Sequence, residues 1–67
     1  MTIKTFIGKI GKERFLKDFD LEHLNVFAPR RKDLIMLDGN IYRVLDVIQD
    51  YDLDEYNVFL EKFNWED

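Results

Sequence analysis

The segment from Asp33 to Phe63 constrains the fold of this chain more than any other stretch. It contains three runs of apolar, β-branched and aromatic residues, which are separated by Asp38-Gly39-Asn40 and by the acidic run from Asp50 to Glu55. Runs of this kind, bounded by turn residues, are typical of neighbouring antiparallel strands. We therefore predict a three-stranded antiparallel meander in this half of the chain.

The turn residues and the alternation set the expected bounds of the three strands, which are Leu34 to Leu37, Ile41 to Asp50 and Tyr56 to Phe63. Asp38-Gly39 favours a primed hairpin turn, with a loop of either two or three residues. The apolar alternation of the middle strand breaks at Leu45-Asp46, which predicts a β-bulge at that point.

Both faces of the predicted meander have large apolar side chains. Tyr56, Val58 and Leu60 alternate onto one face. Phe59 and Phe63 alternate onto the other face. An antiparallel sheet that exposes one face to solvent has polar side chains on that face. Both faces of this meander are therefore expected to be covered by other parts of the chain or by a partner. Any uncovered part is expected to be a contact site. The apolar residues considered for that surface are Ile35, Leu37, Ile41, Phe59, Phe63 and Trp65.

The first half of the chain is predicted to add a strand and a short helix. Residues 2–10 alternate loosely and are rich in threonine and isoleucine, which suits a strand. Residues 12–19 change period, because their apolar residues fall on one helical stripe. These are Phe15, Leu16 and Phe19. So short a helix is unstable alone and would lean on the sheet. For residues 20–28, a short helical turn and another strand both remain open.

Residues 33–47 resemble the central hairpin of SH3-like small barrels. In such domains an acidic residue opens an apolar strand, a glycine turn follows, and a Tyr-x-Val-x-x-Val strand returns. Asp33, Gly39, Tyr42, Val44 and Val47 stand at these places. The resemblance implies a small β-barrel used for interaction. The acidic-aromatic loop before the first meander strand is missing, so the proline-peptide groove of signalling SH3 domains does not carry over.

The predicted fold class is accordingly mainly β with a short helix. An N-terminal strand and the short helix pack on the three-stranded meander, as a small antiparallel SH3-like barrel or meander. We expect residues 1–67 to form one small domain.

Catalytic residue types are scarce in this sequence. It has no cysteine and no serine, and His23 is its only histidine. Ser-His, Cys-His and multi-histidine metal arrangements are therefore excluded within one chain. No glycine-rich nucleotide-binding motif is present. We predict a protein that is not an enzyme, with no catalytic residues, no metal and no cofactor.

The acidic run partly matches a calcium-binding EF-hand loop. Asp50, Asp52 and Asp54 alternate, and Glu61 stands at the twelfth position of that frame. However, the sixth position is Glu55 where glycine is needed for the turn, and the flanks look like strands. We interpret the run as a solvated acidic turn whose charges discourage edge aggregation. A weak cation contact of another kind is the alternative.

Charge is divided unevenly along a chain of net charge −4. Residues 1–32 have eight Lys and Arg against four acids, whereas residues 33–67 have two against ten. The two halves either neutralise each other by packing together or leave an acidic face for a basic partner. No apolar leader region and no run of roughly 20 apolar residues is present. We therefore expect a cytoplasmic protein without membrane contact.

These features favour a non-catalytic protein-interaction module with a protein partner or self-association. Small size suggests an accessory or inhibitor protein of a phage or mobile element. The partner-binding residues predicted here are Tyr51, Tyr56, Phe59, Phe63, Trp65, Asp50, Asp52 and Asp54. The alternatives are a structural homo-oligomer subunit and a small barrel that binds nucleic acid. Nucleic acid, which the bulk acidity disfavours, would use the anion contacts Arg30, Arg31 and Lys32.

Overall fold

A computed structural model describes residues 2–20 and 29–63, and all regular structure in these ranges is β. The strands are β1 (Thr2–Ile7), β2 (Arg14–Asp20), β3 (Leu34–Leu37), β4 (Asn40–Asp50) and β5 (Glu55–Lys62). They form a single sheet in the order β2-β1-β5-β4-β3, which curls into a half-barrel. β1 runs parallel to β5, and every other neighbouring pair is antiparallel.

The predicted meander is present as β3, β4 and β5. Its first turn is a two-residue loop, because Leu37 pairs directly with Asn40. Asp38 and Gly39 both have positive φ, at 50° and 83°. Positive φ at both central residues is the signature of a type I′ hairpin turn, which matches the right-handed twist of the flanking strands.

The predicted bulge in the middle strand is also present. The register between β4 and β5 shifts between Val44 and Asp46, which leaves Leu45 as the extra residue. The bulge resets the alternation, so Val47 packs on the same side as Val44.

The predicted short helix at residues 12–19 is wrong, and with it the fold class of β plus helix. The described part of the chain is all β, and Arg14–Asp20 forms β2. Lys17 pairs with Thr5 and Phe15 with Phe6, so Leu16 is an extra residue in a second bulge. A bulge breaks the period of two, and the resulting apolar spacing imitates a helical stripe. Pairing with β1 provides hydrogen-bond partners for the backbone N–H and C=O groups of this segment. A helix of eight residues without such a partner would be unstable in water.

The core lies on one face of the curled sheet. Its buried members are Ile3, Tyr42, Val44, Val58 and Leu60. Ile7, Phe19, Ile35, Leu37, Val47 and Tyr56 pack against them. Ile35 and Leu37 are therefore partly buried against the core, on the face opposite to Phe59. Their inward position follows from the register, since Ile35 pairs with the buried Tyr42.

The two edges of the sheet approach each other through an ion pair. The Lys17 Nζ of β2 lies 3.2 Å from the Asp38 Oδ1 in the turn between β3 and β4. Both side chains are well exposed, so the pair contributes little to stability. The pair shows that the sheet is strongly curled, because β2 and β3 are the first and last strands of the sheet and their side chains would be far apart in a flat one.

The predictions about residues 21–28, His23 and Trp65 lie outside the described residues. Asp20 is the last residue of β2, so the first residue of the segment 20–28, for which a helical turn and a strand remained open, lies in a strand. Within the described ranges there is no helix of the length and apolarity that crossing a bilayer requires.

Candidate functional site

The loop between β4 and β5 is held in one shape by its own first residue. The Asp50 Oδ1 accepts hydrogen bonds from the backbone N–H of Asp52 at 3.0 Å and of Leu53 at 3.1 Å. Asp54 follows with a positive φ of 56°, and its carbonyl oxygen accepts a bond of 3.2 Å from the N–H of Thr2. Asp and Asn residues commonly fix turns in this way. The hairpin tip is therefore tied to β1 as well as to its own strands.

Two large apolar side chains project from this ordered tip. Tyr51 is 87% exposed and Leu53 is 65% exposed. The Tyr51 hydroxyl donates a hydrogen bond of 2.8 Å to the Gln49 Oε1. The carboxylates of the surrounding acidic run make the rim negative, although Glu55 is paired with Lys4 at 3.0 Å. The tip thus combines an exposed aromatic side chain and an exposed aliphatic side chain with a charged rim.

An open cleft of about 570 Å³ lies beside β4. Its lining residues are Pro29, Arg30, Arg31, Asp46, Val47, Gln49 and Tyr56. This volume is within the roughly 300–1,000 Å³ of ordinary ligand clefts. The floor comes from the sheet, since Gln49 and Tyr56 are direct cross-strand partners.

The basic loop reaches the cleft because its backbone is bonded to β4. The N–H of Lys32 donates to the carbonyl of Val44 at 2.8 Å, and the N–H of Val44 donates to the carbonyl of Asp33 at 2.8 Å. The Asp33 Oδ2 in turn accepts a bond of 2.9 Å from the N–H of Arg30. Lys32 adopts a φ of 78°, which sharpens the turn. These bonds place Arg31 so that its Nε lies 3.8 Å from the Asp46 Oδ1.

The structure brings together residues that the sequence analysis placed in two separate groups. Tyr56, predicted for partner binding, lines the cleft with Arg30 and Arg31, predicted for anion contact. Tyr51 joins them through its bond to Gln49. The remaining described members of the acidic group, Asp50, Asp52 and Asp54, form the hairpin tip. Lys32 is exposed but does not line the cleft.

Phe59 and Phe63 lie apart from this region and are engaged within the chain. Phe59 is only 5% exposed, and its ring stacks on Phe6 with the centroids 5.2 Å apart. Phe15 meets Phe6 edge-on at 5.8 Å. The Arg43 guanidinium lies over the Phe63 ring at 5.2 Å. The Phe59 ring therefore offers a partner little surface.

Sequence reasoning missed Leu53 and the β4 residues that line the cleft. Leu53 is the only apolar residue other than tyrosine within the acidic run. A single leucine among carboxylates is a sequence signal for an exposed apolar side chain. Val47 and Gln49 follow the bulge at alternate positions, which places them on one face. Nothing in the sequence indicated that the basic loop would fold back onto that face.

Among the described residues, no group of three or more His, Cys, Asp or Glu side chains is placed to hold a metal ion. Comparison with family models, with curated proteins and with solved structures gave no match. Function is therefore inferred from the surface chemistry alone.

Proposed function

We propose that this chain is a non-catalytic protein-interaction module that binds its partner through the tip of the β4–β5 hairpin. The observation that supports the proposal most is the exposure of Tyr51 and Leu53 on a turn fixed by Asp50. Aromatic anchors near a polar rim are enriched at protein interfaces. A tip that is already ordered loses little conformational entropy on binding.

The charge of the tip favours a partner with a basic surface. The acidic run from Asp50 to Glu55 contains four carboxylates, and the whole chain has a net charge of −4. Complementary charge mainly raises the association rate and selects the partner, while the apolar anchors supply affinity. Binding should therefore weaken as ionic strength rises, and it should depend on both kinds of residue.

Two matched variants test the proposal. The double substitution Tyr51→Ala and Leu53→Ala removes the anchors, and Met36→Ala on β3 is the control, because Met36 is also 65% exposed. Exposed substitutions of this kind change stability by only about 0.5 kcal/mol. Each protein is immobilised, and the proteins that it captures from a lysate of its own cell are quantified at low and high salt.

Specific captured proteins should be lost with the tip variant and retained with the Met36 control, and high salt should reduce their capture. Identical capture profiles for the wild type, the tip variant and the control would overturn the proposal. Circular dichroism of all three proteins checks that the sheet is intact.

An SH3-like closure of the half-barrel is suggested by the hairpin resemblance. We also propose a cytoplasmic location and a role as an accessory or inhibitor protein of a phage or mobile element. Fractionation of a tagged protein tests the location.

Nucleic-acid binding through Arg30, Arg31 and Lys32 and self-association stay predictions. A mobility shift with DNA and RNA at low salt tests nucleic-acid binding, since phosphate contacts depend steeply on salt. Light scattering across a dilution series tests self-association.

A further inference from the structure

The hairpin that joins β1 to β2 has a defined backbone, which begins at Gly8. The N–H of Gly8 donates a hydrogen bond of 2.8 Å to a carbonyl of β5, and this bond attaches the start of the hairpin to the sheet. At the turn, the N–H of Lys12 donates to the carbonyl of Lys9 at 2.9 Å. The Glu13 Oε1 accepts a bond of 2.7 Å from the N–H of Gly11. The side chains of this hairpin are therefore presented from a bonded turn.

Exposed charged and apolar side chains share this β1–β2 hairpin, and residues 9–15 are all exposed. Three of them are cationic and only Glu13 is acidic, so the hairpin has a local excess of two positive charges. The cations are Lys9, Lys12 and Arg14. Ile10 is 53% exposed and Phe15 is 55% exposed. The hairpin thus resembles the β4–β5 tip in combining exposed apolar side chains with charge, but its charge has the opposite sign.

The β1–β2 hairpin and the β4–β5 tip lie at opposite ends of the sheet. β1 and β5 run parallel, from Thr2 beside Glu55 to Ile7 beside Leu60. The tip precedes β5 and the β1–β2 hairpin follows β1, so five residue steps of about 3.3 Å, or about 17 Å, separate them. The tip therefore does not reach the basic hairpin of its own chain, and the two surfaces are available to two different neighbours.

We infer that the β1–β2 hairpin of one copy of this chain binds the β4–β5 tip of a second copy. The exposed Tyr51 and Leu53 of the tip pack against Ile10 and Phe15, and the carboxylates of the tip face the cations of the hairpin. Each copy has both surfaces, so the contact either closes in a two-fold pair, in which each tip meets the other hairpin, or continues as a chain. This inference rests on the proposed function, because it names the partner of the tip.

Charge favours this contact over the simpler self-pairings. Tip against tip would oppose carboxylates, and hairpin against hairpin would oppose lysines, and like charges across a contact are unfavourable. The net charge of −4 repels two copies at a distance. However, exposed charges more than about 8 Å apart are largely screened at physiological ionic strength, so the opposite charges in contact outweigh this repulsion.

Two variants that each lose a different end test the inference. The tip variant is Tyr51→Ala with Leu53→Ala, and the hairpin variant is Lys9→Glu with Lys12→Glu. Sedimentation velocity measures the mass of the wild type, of each variant and of an equal mixture of the two variants, across a dilution series at low and physiological salt. Circular dichroism checks that each sheet is intact.

The control variant is Arg30→Glu with Lys32→Glu, which changes the net charge as much as the hairpin variant does. Both control residues are exposed and lie outside the two hairpins. Isotope labelling then locates the contact in the mixture. Amide shifts are recorded for the labelled tip variant with the unlabelled hairpin variant, and for the reverse labelling.

The wild type should self-associate, and the mixture should form a complex, because one intact tip then meets one intact hairpin. Each variant alone should self-associate about tenfold more weakly or less, since the lysine reversals replace attraction with repulsion and the alanines remove the apolar anchors. The control should change the dissociation constant about twofold or less. In the mixture, amides 51–54 of the hairpin variant and amides 9–15 of the tip variant should shift.

A wild type that stays monomeric up to about 1 mM would overturn the inference. A mixture no heavier than its components, self-association that both variants retain, or amide shifts outside the two hairpins would also overturn it. Shifts in residues 9–15 that a single-stranded oligonucleotide produces and a second copy does not would assign the hairpin to nucleic acid instead.

The capture experiment of the proposed function separates the two ideas. Tip-dependent capture of other proteins by a wild type that stays monomeric would overturn this inference and leave the proposed function standing. A tip variant that captures as the wild type does, its own copies included, would overturn both.

Discussion

Replacement of Phe59 by alanine should destabilise the sheet strongly, although the sequence places this residue on the outer face of the meander. Phe59 is 5% exposed and its ring stacks on Phe6 at 5.2 Å with an interplanar angle of 18°. Removing a buried phenylalanine costs about 3–5 kcal/mol, of which the ring pair contributes about 0.5–1.5 kcal/mol. The lost ring leaves a cavity between β1 and β5 that the backbone ladder cannot close.

That loss is large for a chain of this size. At about 0.05–0.15 kcal/mol per residue, 67 residues give a free energy of unfolding of about 3–10 kcal/mol. The variant should therefore unfold at a much lower urea concentration. Its melting temperature should fall by about 12–40 °C, since each kcal/mol shifts the midpoint of a small domain by about 4–8 °C.

Urea unfolding followed by far-UV circular dichroism measures the change. Phe15→Ala is the matched control, because Phe15 touches Phe6 from the edge but is 55% exposed, and its loss should cost about 1 kcal/mol or less. A double-mutant cycle between Phe6 and Phe59 should give a coupling of about 0.5–1.5 kcal/mol. A Phe59→Ala variant within about 1 kcal/mol of the Phe15→Ala variant would refute the reasoning from burial and stacking.

Three smaller perturbations test local features by the same urea assay. Thr5→Val removes the buried hydroxyl that donates a bond of 2.8 Å to the carbonyl of Lys17, and we expect a loss of about 1 kcal/mol. Gly8→Ala should cost more than Gly39→Ala, because both have positive φ but only at Gly8 would the new Cβ lie 3.0 Å from a backbone oxygen. Equal losses at the two glycines would contradict the steric part of this explanation. Asp50→Ala should cost about 1 kcal/mol and raise the hydrogen-exchange rate of the hairpin tip, and an unchanged rate would show that the carboxylate does not hold the loop.

The candidate site was only partly predictable, because its parts come from distant stretches of sequence. The acidic tip with Tyr51 is a continuous segment, so its residues were identified together. The cleft was not identified, because it forms only when the N–H of Lys32 bonds to Val44 and places the arginines beside β4. Alternation places Phe59 on the outer face of the meander, but it does not reveal that the ring of Phe6 covers Phe59 there.

The sequence by itself determined the meander. Asp38-Gly39 specifies its first turn, and the broken alternation at Leu45 specifies its bulge, because both are local backbone preferences of adjacent residues. Only the tertiary structure decided that residues 14–20 form a strand and that Thr2 pairs with Glu55 in a parallel ladder. These pairings join residues that are remote in sequence, and their hydrogen bonds exist only after the chain has folded. A local pattern therefore could not distinguish a bulged strand from one helical stripe.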